Sequence, residues 1–252
     1  MTTSLNFLSP NHGPRRAGAA IDILLVHYTG MPTARSALER LCDPAAQVSA
    51  HYVIDEDGTV HALVPEDRRA WHAGAGYWKG ERDINSRSVG VELVNPGHEW
   101  GYRPFPAAQM EAFAELALGI LDRHGILPHR VLGHSDVSPA RKEDPGELFD
   151  WEGLARLGIG FWPEPGDGDE GMGDVAEAQR LLGRFGYEVA ETGTLDAMTR
   201  VAATAFQRHF MPRRVAYGLD AAFMRVVRAA VRQAGAERLP THPSPTSRHD
   251  FP

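Results

Sequence analysis

The chain has 252 residues, a length that suits a medium-sized domain followed by a small one. Apolar residues make up 42% and charged residues 23%, values typical of a globular protein, and no apolar run is long enough to span a bilayer. The formal net charge of -7 and the scattered arginines argue against nucleic acid or anionic lipid as partners. The single cysteine, Cys42, excludes an intrachain disulfide and a thiolate cluster, so any metal site must use His and carboxylate.

The amino-terminal segment indicates where the protein works. Residues 1–20 lack the charged and apolar regions of a secretory signal and contain no cysteine for lipid attachment. We therefore expect a cytoplasmic protein, with the periplasm as the alternative, and we expect a monomer. The same segment is rich in Pro, Gly, Asn and Arg without periodicity, which predicts a lead-in segment on the surface.

Strand and helix patterns alternate over the next 140 or so residues. Short aliphatic runs predict strands, and apolar residues spaced by three and four predict helices. An Asp-Gly step between two alternating segments predicts a β-hairpin. The predicted strands are 21–27, 50–54, 59–64, 88–95 and 131–134, and the predicted helices are 33–41 and 107–124. This order predicts an α/β fold with a mixed central β-sheet flanked by helices.

The chain changes character near residue 160. A stretch rich in Pro, Gly and acidic residues is typical of a linker, and three helical patterns follow it. The last residues contain four prolines, which favours disorder. The predicted division is an α/β domain at 1–160, a linker at 161–173, a small three-helix domain at 174–238 and a flexible tail at 239–252.

Two histidines stand at the ends of predicted strands. His27 and His134 each close an apolar run, and open α/β sheets bind ligands beyond the carboxyl ends of their strands. Asp144 follows nearby, and two His with one carboxylate would leave a coordination position open on zinc. The alternative is that the histidines are structural and that Asp144, before Pro145, caps a turn.

A glutamate within an apolar strand is the second unusual feature. Val89, Val91 and Leu93 share one face of strand 88–95, so Glu92 points to the other. Because burying an unpaired carboxylate is costly, Glu92 is either salt-bridged or catalytic. The aromatic, glycine-rich loop 71–78 either lines a site or closes an edge of the core, and its composition favours neither.

Six motifs, taken in order, resemble a known family. They are Val-His-Tyr-Thr around His27, Val-Ser-Ala-His-Tyr-Val-Ile around His51, Trp-His-Ala-Gly from Trp71, Ser-Val-Gly-Val-Glu-Leu around Glu92, Gly-His-Ser-Asp around His134 and Lys-Glu-Asp-Pro-Gly from Lys142. Together they resemble the zinc N-acetylmuramoyl-L-alanine amidases of type 2, to which peptidoglycan recognition proteins and phage amidase lysozymes are similar. The resemblance covers about residues 20–160.

The resemblance implies a hydrolase of peptidoglycan fragments. It implies cleavage of the amide between the lactyl group of N-acetylmuramic acid, or of its 1,6-anhydro form, and the L-alanine of the stem peptide, in cell-wall turnover or recycling. The matching positions imply Zn²⁺ bound by His27, His134 and Asp144. They also imply that Glu92 is the catalytic glutamate and that Lys142 stabilises the oxyanion.

Other residues of these motifs are candidates for substrate binding. Trp71 and His72 are expected in the cleft, because aromatic faces suit sugar rings and a neutral imidazole can hydrogen-bond an acyl group. We also expect His51 and Asn95 to bind substrate. Some family members carry a tyrosine just before the hairpin histidine. This chain has an alanine before His51, so Glu92 would carry the proton transfer.

The carboxyl-terminal part and the function each leave alternatives open. Residues 178–207 resemble a peptidoglycan-binding domain of the three-helix type, but they could also form an appendage that only packs on the amidase. The first functional alternative is a non-catalytic peptidoglycan recognition protein, which typically lacks the third metal ligand. The second is a phage-type endolysin with the same chemistry. The presence of Glu92, Lys142 and Asp144 favours catalysis.

Overall fold

The computed structural model describes residues 3–4 and 7–236, so the predicted tail at 239–252 lies outside the described residues. Its strands are β1 Thr3–Ser4, β2 His12–Pro14, β3 Ile23–Tyr28, β4 Tyr52–Ile54, β5 Val60–Ala62, β6 Arg68–Ala70, β7 Ser88–Leu93 and β8 Val131–Gly133. Its helices are α1 Ala34–Cys42, α2 Ile84–Arg87, α3 Gly97–Trp100, α4 Ala107–His124, α5 His134–Val137, α6 Trp151–Arg156, α7 Val175–Phe185, α8 Ala197–Phe210 and α9 Ala221–Ala236.

Six strands form one mixed sheet in the order β1-β5-β4-β7-β3-β8. Only β4 and β5, the predicted hairpin, pair antiparallel, and the other neighbours are parallel. The predicted α/β fold with a mixed central sheet is confirmed. Parallel strands need crossover connections, and α1 lies in the connection from β3 to β4 and α4 in the one from β7 to β8.

The amino-terminal segment takes part in strand pairing, which its composition did not predict. β1 adds a parallel edge strand beside β5, and β2 pairs with β6 in a separate two-stranded sheet. Further along, the Arg15 guanidinium donates to the backbone oxygens of Asn85, Ser86 and Ser88. All of these interactions involve backbone groups of the partner residues. Such interactions leave no periodic pattern of side chains in the sequence. The segment is therefore part of the fold rather than a surface lead-in.

The two faces of the central sheet are covered by different elements. In β3, Leu24 and Val26 join the cluster that contains Phe113 and Ile120 of α4. Because side chains alternate along a strand, the neighbouring Leu25 lies on the opposite face, in a second cluster. Helix α4 therefore covers one face, and the second face packs against the carboxyl-terminal helices near β3 and against α1 near β4.

The carboxyl-terminal helices share a core with the α/β part. One apolar cluster contains residues of β3, Trp78 and residues of α7, α8 and α9. The indole of Trp78 is 0% exposed and packs on Phe185 and Tyr187, with ring centroids 5.7 and 5.1 Å apart. A Cβ added at Gly186 would lie 2.5 Å from this indole, so only glycine allows the close approach. The predicted domain boundaries stay predictions, and the two parts form one continuous core.

The predicted linker is packed rather than free. Phe161 and Trp162 contact the shared cluster, Glu164 hydrogen-bonds with Gln233 of α9, and Asp169 forms a salt bridge with Arg232. The Pro- and Gly-rich segment therefore runs along the surface of the core and is held there by these contacts. None of the helices in the described ranges, 3–4 and 7–236, is long and apolar enough to cross a membrane.

Candidate active site

The carboxyl ends of three parallel strands bring the predicted catalytic residues together. In β3 and β7, His27 lies directly opposite Glu92, and Val26 of β3 lies opposite Gly133, the last residue of β8. His134 therefore leaves its strand beside His27. Val89, Val91 and Leu93 face α4, so Glu92 points to the opposite face, as the alternation predicted. The edge of the sheet thus collects both histidines and the glutamate.

His27, His134 and Asp144 form a compact cluster of buried side chains. The Nδ1 atoms of the two histidines lie 3.0 Å apart, and Asp144 Oδ2 lies 3.1 Å from His27 Nδ1 and 3.0 Å from His134 Nδ1. Tetrahedral coordination with bonds of about 2.0 to 2.1 Å places ligand atoms about 3.3 Å apart. The donor set, its spacing and its burial therefore fit a zinc ion with a fourth position left open.

Hydrogen bonds to backbone groups hold His134 and Asp144 in place. His134 Nε2 lies 3.0 Å from the Ala73 carbonyl oxygen, which fixes the ring with Nδ1 toward the cluster. The backbone N–H of Ser135 donates to the Asp144 carbonyl oxygen at 2.9 Å and so ties the segments that carry these two ligands. Arg141 also donates to the Ala73 carbonyl oxygen, at 2.9 Å.

The protonation states of the cluster favour metal binding. Burial, and then the neighbouring His134, lowers the pKa of His27 to about 4, so its imidazole is neutral at pH 7. Burial alone would raise the pKa of Asp144, but His134 and His27 hold it well below its usual range. Metal ligation requires a neutral imidazole and an ionised carboxylate, and the pKa shifts of His27 and Asp144 favour these forms.

His72 supports His27 instead of pointing to a substrate group. Its Nδ1 lies 3.0 Å from His27 Nε2, and its Nε2 lies 3.4 Å from the Ser88 hydroxyl, which donates to the Ile84 carbonyl oxygen. This chain of hydrogen bonds fixes His27 with Nδ1 toward the cluster. His72 lines the cleft, but both of its ring nitrogens already have partners. The expected place of His72 in the cleft agrees with this lining, and its hydrogen bond to an acyl group stays a prediction.

Glu92 is a half-buried residue with one buried carboxyl oxygen and is available for proton transfer. Its Oε2 atom is buried and has no hydrogen-bond partner within the part of the chain that the structure describes. Burial, and then the charge of Asp144, raises the pKa of Glu92 well above its usual range, while Lys142 acts in the opposite direction. The salt-bridged alternative lacks support, because no cation pairs with Glu92 in the described residues. A carboxyl group with a raised pKa beside a metal site suits general acid–base chemistry.

A cleft of about 470 Å³ opens over the cluster. Trp71, Glu92 and Lys142 line it, together with His134 and Asp144 of the cluster. The cleft is also lined by residues that were not predicted as site residues, among them Tyr28, Arg40 and Glu99. Tyr28 could have been predicted from its position next to His27, whereas Arg40 and Glu99 lie on α1 and α3, outside the six motifs.

Two predicted substrate-binding residues do not reach the cleft wall. Asn95 is 1% exposed, donates to the Arg103 carbonyl oxygen and accepts from the Gly97 N–H, so it shapes the loop after β7. His51 is 0% exposed, and its Nδ1 accepts from the Gly90 N–H. Both side chains are hydrogen-bonded inside the fold, and their expected role in substrate binding stays a prediction. Sequence motifs do not distinguish residues that support a site from residues that face it.

Comparisons with known proteins agree with this geometry. The family model for N-acetylmuramoyl-L-alanine amidase matches residues 17–147. N-acetylmuramoyl-L-alanine amidase AmiD from Escherichia coli K12 is 36% identical over 246 residues, covering 88% of each chain. The 1,6-anhydro-N-acetylmuramyl-L-alanine amidase AmpD from Enterobacter cloacae is 31% identical over 160 residues, which cover 57% of this chain and 83% of that protein.

Solved structures match over most of the chain. AmiD from E. coli, in complex with the substrate anhydro-N-acetylmuramic acid-L-Ala-D-gamma-Glu-L-Lys, has a TM-score of 0.77 at 35% identity and covers 88% of this chain and 94% of its own. AmpDh3 from Pseudomonas aeruginosa, in complex with anhydromuramic pentapeptide, also has a TM-score of 0.77, at 26% identity, and covers 91% and 99%. By sequence and by fold, this chain belongs to the N-acetylmuramoyl-L-alanine amidase family of enzymes.

Proposed function

We propose that this amidase depends on zinc and cleaves the amide between the lactyl group of N-acetylmuramic acid, or its 1,6-anhydro form, and the L-alanine of a stem peptide. The observation that carries the proposal is the cluster of His27 Nδ1, His134 Nδ1 and Asp144 Oδ2, mutually 3.0 to 3.1 Å apart. Zinc bound there would polarise the substrate carbonyl and acidify water.

The other residues of the cleft have roles that follow from their placement. Glu92 would accept a proton from the attacking water and deliver it to the leaving amine, since it lines the cleft opposite His27 and its carboxyl group has a raised pKa. Lys142 would stabilise the negative charge that develops on the carbonyl oxygen. Trp71 offers an aromatic face to the sugar ring.

The substrate class follows from the relatives. The AmiD and AmpDh3 structures hold fragments with an anhydro sugar, which supports soluble peptidoglycan fragments as the substrate and recycling as the role. We extend the proposal to a cytoplasmic location, where such fragments would be processed. Fractionation that finds the protein in the periplasm or envelope would favour turnover of the wall instead.

Sedimentation of the full chain with isolated murein would show whether the carboxyl-terminal helices also bind the wall.

The main experiment measures release of L-alanyl peptides from purified muropeptides with and without a terminal anhydro sugar. We expect cleavage that is lost on chelation, restored by Zn²⁺, and reduced at least about 100-fold in Glu92→Gln, which keeps the shape but cannot shuttle a proton. The exposed Glu39→Gln is the matched control and should cleave normally. Tight zinc-dependent binding without cleavage would instead identify a recognition protein.

A further inference from the structure

A buried carboxylate connects the carboxyl-terminal helices to the segment that carries His134. Asp136, in α5, is 1% exposed and accepts three hydrogen bonds. The backbone N–H of Gly133 donates to Oδ2 at 2.8 Å, the Tyr187 hydroxyl donates to Oδ1 at 2.6 Å, and His209 Nδ1 lies 2.8 Å from Oδ2. Two of the three donors therefore come from the carboxyl-terminal part of the chain.

Both of these donors are held rigidly. His209, in α8, is 3% exposed, and its ring lies between Trp151 and Phe210, with centroids 3.8 and 3.9 Å away and planes inclined by 21° and 13°. Tyr187 is 2% exposed and packs on Trp78. Side chains packed in this way cannot follow a carboxylate that moves, so they define where Asp136 lies.

The position of Asp136 bears directly on the metal-binding residues. It lies two residues after His134, in a helix of only four residues, and its carboxylate fixes the Gly133 N–H at the start of that turn. The next backbone N–H after His134, that of Ser135, holds the Asp144 carbonyl oxygen. A displacement of this turn would therefore move two of the three metal ligands together.

We propose that Tyr187 and His209 are positioning residues of the metal site, so that the carboxyl-terminal helices form part of the catalytic centre. They act through Asp136, which sets the orientation of the turn from Gly133 onward. Without the two donors, the carboxylate would be left buried with one hydrogen bond, and it would move toward water and displace the turn. The inference rests on the proposed zinc site and adds a role for the helices that is independent of wall binding.

The test measures zinc affinity of the full chain by competition with a chelating indicator, alongside circular dichroism to establish folding. Tyr187→Phe removes only the hydroxyl. His209→Leu removes the donor, whereas His209→Asn places an amide N–H where Nδ1 was, and both lose the ring. The control is Gln179→Leu, which breaks buried hydrogen bonds to Thr192 and Thr199 within the carboxyl-terminal part, away from Asp136.

We expect Tyr187→Phe and His209→Leu to bind zinc about 10- to 100-fold more weakly, the range for residues that support metal ligands. His209→Asn should bind clearly more tightly than His209→Leu, and Gln179→Leu should match the unaltered chain. Equal affinity in all folded variants, equal losses in the Asn and Leu variants, or an equal loss in the control would overturn the inference. Failure of the unaltered chain to bind zinc would overturn the proposed function as well.

Discussion

Gly90 makes room for the His72 ring, which orients His27 of the proposed metal site. A Cβ at this position would lie 2.5 Å from the His72 ring, and His72 in turn holds His27 through Nε2. We expect Gly90→Ala to lower the free energy of unfolding by about 1 to 3 kcal/mol, because the crowded ring must shift, and to lower kcat/KM with it.

Denaturant unfolding and peptide release check this prediction. Gly235→Ala is the matched control, since no described atom lies within 4 Å of a Cβ added there and alanine favours the helix α9. It should leave activity unchanged and not reduce stability. A Gly90→Ala enzyme with full stability and activity would show that His72 is not confined by the strand beneath it.

Substitution of Lys142 tests whether its positive charge stabilises the negative charge that develops on the substrate carbonyl oxygen. It lines the cavity with Asp144 and Glu92, so removal of its charge should affect the transition state more than the bound substrate. We expect Lys142→Met to lower kcat by about 100- to 1,000-fold with a small change in KM, and Lys142→Arg to retain part of the rate. Steady-state kinetics on an anhydro-muropeptide distinguish these effects, and an unchanged kcat in Lys142→Met would contradict the role.

At the scale of elements, Glu66 links the end of α4 to the sheet. It lies between β5 and β6, accepts from the Tyr52 hydroxyl at 2.7 Å, and pairs with Arg123 and His124 at 2.6 Å each. Burial alone would raise the pKa of Glu66, but the hydrogen bonds from Arg123, His124 and Tyr52 lower it to about 2. A carboxylate whose pKa is lower in the folded state than in the unfolded state stabilises the fold at pH values above its unfolded-state pKa.

This linkage gives a pH-dependent stability with a defined sign. The contribution of Glu66 is complete above about pH 4.5 and is lost as the pH falls toward 2. It amounts to at most about 3 kcal/mol, and less because Arg123 is half exposed and screened by solvent. Urea unfolding at pH 6 and pH 3 should show a smaller acid-induced loss in Glu66→Gln than in the unaltered chain. The exposed Glu39→Gln should lose as much as the unaltered chain, and equal losses in all three would refute the linkage.

At the scale of the whole molecule, the shared core predicts that the α/β part and the carboxyl-terminal helices unfold together. Trp78→Ala removes a fully buried indole at their junction, which should cost about 3 to 5 kcal/mol. We expect one unfolding transition in the unaltered chain and a separation into two transitions in this variant. Trp100→Ala, at a position 59% exposed, should change stability by no more than about 0.5 kcal/mol. Two transitions in the unaltered chain would show that the parts are independent.

The sequence by itself determined the mixed sheet, the hairpin, helix α4 and the positions of His27, Glu92 and His134 on their strands. Alternation placed Glu92 away from the apolar face, and two strand ends identified His27 and His134, because these patterns arise within a few consecutive residues. Local periodicity carries no information about backbone pairing, so the contribution of β1 and β2 to the sheets was not predicted.

Only the tertiary structure decided which polar residues face the cleft and which support it. Asn95 and His51 carry polar groups that could bind a substrate, but hydrogen bonds inside the fold engage both side chains. The contacts of Asp136 with Tyr187 and His209 join residues 51 and 73 positions apart. Such contacts arise only when distant segments pack on one core, because a hydrogen bond between them depends on the arrangement of the whole chain and not on its local sequence.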